Sequence, residues 1–143
     1  MNWLTKHVLY IAWTAALLAM LGSLYFQFIL HLPPCILCWY QRIAMYPLVI
    51  IIATGIFKKD KGFIYSALPL AVIGWVIALY HNLLYYNILP ESAAPCSIGV
   101  SCTTKLVEYL GFITIPLLSL TSFTVIIACL FIYNNNRRTT TND

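Results

Sequence analysis

Charge is what this chain has least of. Only 8% of its 143 residues are charged, four Asp and Glu against eight Lys and Arg. So few charges cannot coat a water-facing globule, which excludes an ordinary soluble domain. There is no paired-carboxylate site, no Gly-rich phosphate loop and no internal repeat. The net charge of +4 comes from basic residues flanking apolar runs, so it is not a nucleic-acid footprint.

Apolar residues fill the space that charge leaves, at 62% of the chain. A helix needs about 20 such residues to cross the hydrocarbon core. Four runs qualify, at 8–30, 39–57, 63–89 and 111–133. The third is longer than a span requires, so it must overshoot, tilt or end before Leu89. The expected fold is therefore an all-α membrane protein, one integral membrane domain built as a four-transmembrane-helix bundle. The first run holds 23 uncharged residues. A signal peptide's apolar region has about 7 to 15, so this run is expected to be retained.

Basic residues set the orientation, because cytoplasmic loops carry the excess of Lys and Arg. Lys6, Lys58, Lys59, Lys61, Arg137 and Arg138 flank one side; Arg42 and Lys105 are left for the other. Both termini are then expected inside a bacterial cell membrane, with the cysteine-bearing connections outside, where disulfides persist. The short Lys58-Lys59-Asp60-Lys61-Gly62 turn makes helices 2 and 3 antiparallel neighbours. Pro47 removes a backbone donor and is expected to kink helix 2. In the long second outer loop, Leu106, Val107, Tyr109 and Leu110 interleave with Lys105 and Glu108 as a short amphipathic segment on the lipid surface. The polar tail 134–143 is expected to be disordered.

Four of the five cysteines fall in the two outer connections, as Cys35-x2-Cys38 and Cys96-x5-Cys102. Pro33-Pro34 halts helix 1, and the chain can re-enter a helix at about Cys35. Both thiols then meet the positive end of a helix dipole, which favours thiolate over thiol. Cys35, Cys38 and Arg42 share a helix face at i, i+3 and i+7, so Arg42 is expected one turn below Cys38, where it can stabilise that anion. Two cysteine pairs on one oxidising surface suggest a disulfide relay. The alternative is a non-enzymatic membrane scaffold stapled by two structural disulfides. A zinc site from the four sulfurs would need a second Cys-x2-Cys, which the chain lacks, so no metal is expected. His81 lies deep in run 3, either functional or bonded to a neighbouring helix. Gln27 reads as interfacial, and Cys129 as a packing residue.

The string Cys35-Ile36-Leu37-Cys38-Trp39-Tyr40-Gln41-Arg42, then His81, Cys96, Cys102 and Tyr109-Leu110-Gly111-Phe112 leading to Pro116, resembles the DsbB family of disulfide oxidoreductases. The resemblance is closest to its short Gram-positive members, called BdbC. It implies an enzyme that reoxidises a thioredoxin-fold thiol oxidase of the DsbA or BdbD kind and passes electrons to the membrane quinone pool. Disulfide formation in exported proteins would follow. The quinone would be menaquinone or ubiquinone, the resemblance favouring menaquinone. It also implies roles: Cys96 attacked by the partner, Cys102 later engaged by Cys35, Cys38 facing the quinone, Arg42 beside its ring and His81 near it. One departure stands out. Only five residues separate Cys96 from Cys102, which restricts how far that pair can swing.

Overall fold

The computed structural model describes residues 3–31, 33–60, 62–90 and 114–141. These residues form α1 (Trp3–Phe28), α2 (Ile36–Lys58), α3 (Ile64–Tyr85) and α4 (Ile115–Thr141). Each contains a stretch long and apolar enough to cross a membrane, with mean hydropathy from 1.6 to 2.4. At 1.5 Å per residue, even the shortest is about 33 Å long, enough for a hydrocarbon core of about 30 Å. The expected all-α, multi-pass membrane fold is what the chain adopts.

The helices close a ring in which α1 packs on α2 and α4, and α3 packs on the same two. The interior seam on α3 is made of small residues, Ala67, Ala71, Gly74 and Ala78, all buried. Small side chains let neighbouring backbones approach closely, which is how helices associate where lipid is as apolar as they are. Into that seam α4 inserts Phe123, fully buried, with Ile126 and Leu130 below it. Large apolar side chains point outward: Leu18, Ile43, Ile50 and Phe57 are all more than 60% exposed. An oily exterior around a small-residue interior is the packing of a bundle in lipid.

Helix boundaries differ from expectation in ways the caps explain. Of the outcomes open to the third run, α3 takes the end before Leu89: it stops at Tyr85, because Asn87 takes a left-handed φ of 55° and the Ile88 N–H closes back on the Leu83 carbonyl at 3.0 Å. Helix α2 begins at Ile36 and ends on Lys58, with Lys59 in the left-handed region. The following turn is tied by Gly62 N–H donating to Asp60 at 2.8 Å. Helix α2 continues through Pro47 without a break. Thr114 caps α4, accepting at Oγ1 from Leu117 N–H at 3.4 Å. Pro116 sits in the first turn, where its missing N–H costs nothing.

The expectation of a disordered tail from 134 is corrected, since α4 runs to Thr141. Tyr133 packs on Phe63 with ring centroids 5.5 Å apart, and the Arg137 guanidinium lies 5.8 Å over the Tyr65 ring. Basic residues here also complement the negative end of the helix. Helix α1 likewise starts earlier, at Trp3 rather than Val8. The amphipathic segment at 106–110 lies outside the described residues.

A side chain on Gly74 would collide with the Phe123 ring. Gly74→Ala is expected to lower stability by about 1–3 kcal/mol, the usual cost of overpacking. Thermal unfolding in detergent measures it, and Gly74→Ala with Phe123→Leu is expected to recover part of the loss.

Candidate redox site

The local chain direction at Cys35 decides the geometry of the site. After the two prolines, Cys35 is extended, with φ −72° and ψ 167°, and serves as the N-cap of α2. Its sulfur therefore folds back over the first turn and accepts from the Cys38 N–H at 3.3 Å. That is the cap interaction that Ser or Asp usually makes, here made by a thiol. It brings the two sulfurs to 2.8 Å, close enough to form a disulfide without rearranging the backbone. Cys35 is buried and Cys38 only half-buried.

Helix α3 supplies the third member. His81, 3% exposed, puts Nε2 3.7 Å from Cys35 Sγ. The other ring nitrogen, Nδ1, lies 3.1 Å from the Gln41 side-chain amide on α2. An amide nitrogen at Nδ1 selects the tautomer with its proton on Nε2, aimed at the sulfur. Gln41 is buried, and sequence reasoning passed over it. The available signal was its position three residues after Cys38, the spacing at which helix side chains are neighbours.

Arg42 is held from the side of α1. Its hydrogen bonds go across to α1, to the Gln27 side-chain oxygen and to the Ser23 carbonyl at 3.0 Å. Its guanidinium lies 5.6 Å over the Trp39 ring. Neither sulfur is its hydrogen-bond partner, so the donors that settle an anion converge on Cys35 rather than on Cys38. Gln27, read as an interfacial residue, is what holds the arginine in place.

Hydrogen bonding from the Cys38 thiol, opposed by burial, and then the hydrogen bond and charge of His81 and the Cys38 N–H, pull Cys35 down from 9.0 to about 4. Cys35 is thus a thiolate at neutral pH when the pair is reduced. Cys129, on α4, sits in the apolar core as expected of a packing residue. Cys96 and Cys102 lie outside the described residues.

Cys35, Cys38, Gln41, Arg42 and His81 all face one cavity of about 410 Å³. Its other walls are mainly apolar and come from all four helices, among them Leu18 and Phe26 of α1, Met45 of α2, Tyr85 of α3 and Phe123 of α4.

This arrangement has relatives. The family described as "Disulfide bond formation protein DsbB" matches residues 5–133. The chain belongs to the DsbB family. The chain is 46% identical over 119 residues to the disulfide bond formation protein C of Bacillus subtilis, covering 83% of this chain and 86% of that one. It is 44% identical over 132 residues to a probable disulfide formation protein C 2 of Bacillus cereus, covering 92% and 94%. A second probable disulfide formation protein C 2, from Bacillus anthracis, is 45% identical over 139 residues, covering 96% and 98%. No solved structure matches the chain. Membership in the DsbB family supports a disulfide oxidoreductase role for the chain.

The thiolate absorbance lost in Cys35→Ser is expected to titrate near pH 4 in the reduced protein. Cys38→Ala is expected to raise that midpoint more than His81→Ala, because the Cys38 thiol is the larger cause. A folded value below the unfolded one stabilises the reduced protein fully above pH 9.0, progressively less on acidification, and not at all below about pH 4. Denaturant midpoints across that window check the sign.

Proposed function

We propose that this protein is a protein-disulfide:quinone oxidoreductase of the cell membrane. It reoxidises an extracytoplasmic thioredoxin-fold thiol oxidase, with both termini cytoplasmic and the cysteine loops outside. The observation that carries the proposal is a dithiol, an arginine and a histidine on the wall of one largely apolar cavity inside a membrane bundle. Family membership supports the disulfide chemistry.

The cavity's donor set fits a quinone. Its walls suit a ring and an apolar tail, and of the four buried side-chain polar atoms without a partner among the described residues, two are Ser23 Oγ and Tyr46 OH. Both residues line the cavity. Together with Arg42 and His81 they are the groups that would hold the two carbonyl oxygens. A bound quinone supplies a two-electron acceptor able to return the dithiol to a disulfide.

The chain's own part in the relay is thiol exchange. A partner thiolate attacks the Cys96–Cys102 disulfide, and the partner's second thiolate releases Cys96, so the partner leaves oxidised and the loop pair reduced. The loop pair then reduces Cys35–Cys38, with Cys102 engaging Cys35. Each exchange moves two electrons and leaves the proton count of the two pairs unchanged. The reduced pair keeps one sulfur anionic, because the Cys38 N–H and thiol and the His81 ring all support Cys35. Half-buried Cys38 is the sulfur more open to the cavity. Arg42, tied to α1, holds a positive charge at the same wall without spending its donors on a thiolate.

Purified protein in detergent is expected to oxidise a reduced thioredoxin-fold partner when menaquinone or ubiquinone is added, and Cys38→Ser to abolish turnover. Unchanged turnover in Cys38→Ser overturns the assignment. A scaffold with two structural disulfides would instead show no quinone-dependent oxidation and a loss of stability on mild reduction. Arg42→Leu is expected to raise the KM for quinone by at least tenfold with a smaller change in kcat.

A further inference from the structure

The cluster that serves thiol exchange has a second chemical property. Cys35 Sγ, Cys38 Sγ and a ring nitrogen of His81 lie within 4.8 Å of one another. We propose that the reduced site is also a metal site, a Cys2His seat for one thiophilic divalent cation of the zinc type, with the fourth position open to the cavity.

The ligand set has the right chemistry. Two thiolates and one imidazole form a known three-ligand zinc shell, and an open fourth position is what such shells keep. Two thiolates also neutralise a dication, so the bound site is uncharged, as a site between membrane helices needs to be. The Arg42 guanidinium does not oppose this, since its hydrogen bonds turn it toward α1.

The distances require one adjustment. Metal–sulfur bonds of about 2.3 Å in a tetrahedron hold two sulfurs about 3.8 Å apart. The present separation is 2.8 Å, so the pair must open by about 1 Å. Half-buried Cys38, facing the cavity, has room to turn. The Cys35 sulfur and Nε2, 3.7 Å apart, already stand at the spacing of two ligands on one ion. Gln41 completes the seat. With its amide turned over, the oxygen accepts a hydrogen bond from Nδ1–H and leaves the Nε2 lone pair for the metal, the outer partner that ligating histidines usually have.

Binding moves no electrons. The reduced pair gives up its one remaining thiol proton, that of Cys38, to solvent, and two metal–sulfur bonds form. The disulfide offers no thiolate, so the ion selects the reduced state. Occupancy would block both disulfide formation and exchange. That inhibitory consequence rests on the redox function proposed above, whereas the metal site itself does not.

The test uses the full chain in detergent with Cys96→Ser, Cys102→Ser and Cys129→Ser, so that only the α2 pair remains. Reduced and freed of reductant, it is titrated with Co²⁺ and then Zn²⁺. One equivalent of Co²⁺ is expected, with thiolate-to-cobalt charge transfer and tetrahedral ligand-field bands, displaced by Zn²⁺. The oxidised chain is expected to bind none. His81→Ala is expected to weaken binding at least tenfold and shift the ligand-field bands. X-ray absorption of the zinc-loaded parent gives the same answer should that variant not fold, as a shell with two sulfurs and at least one nitrogen. No binding at tenfold excess, binding indifferent to His81→Ala, or a shell without nitrogen overturns the proposal. No quinone or partner is present, so a failed titration leaves the redox function standing, and failed turnover leaves the metal site standing.

Discussion

The site depends on a thiol doing the work of a helix cap. Pro33 and Pro34 keep the chain extended up to Cys35, so its sulfur as well as its carbonyl meets the open N–H groups of α2, those of Cys38 and Trp39. One N–H is satisfied by that sulfur. The same contact sets the two cysteines side by side and gives one of them a reason to be anionic. A Cys-x2-Cys beginning one residue later, inside the helix, would carry the same composition. It would lack the cap, and with it the difference between the two sulfurs.

Lipid makes the remaining polar contacts necessary. A buried polar side chain in a membrane bundle has no water to turn to, and several here are satisfied by a partner on another helix. Arg42 joins α2 to α1 through Gln27 and the Ser23 carbonyl. Gln41 and His81 join α2 to α3. Asn82 joins α3 to α4 by donating to the Pro116 carbonyl at 2.9 Å and to Ala78 on its own helix at 2.8 Å. These ties join neighbouring helices around the cavity, while the core is otherwise packed with Ala, Leu, Ile and Phe. Arg42, Gln41 and His81 thus both tie helices together and line the cavity.

The two uses of the sulfurs compete. Exchange needs one thiolate free to attack and one thiol free to leave, whereas a bound cation needs both as ligands. His81 serves either use, because Gln41 can hold its ring in either tautomer. Whether the ring supports an anion or grips an ion then depends on the oxidation state of the pair and on what the cavity holds.

Much of the bundle was legible beforehand. Four spans, the turn at Lys58–Gly62 and the placement of the dithiol at the start of the second helix all follow from run length, charge and proline. These are local properties that need no knowledge of neighbours. The tail from 134 misled, because its polarity carried no sign of the Tyr65 ring that receives Arg137. By itself the sequence determined that there are membrane helices, where they break, and which residues could do redox chemistry. Only the packing of helices decided that the donors gather on Cys35, that Arg42 is held by Gln27, and that Gln41 and His81 complete the site. Those contacts join residues 15 to 46 positions apart, and no periodicity within one helix encodes which face its neighbour will present.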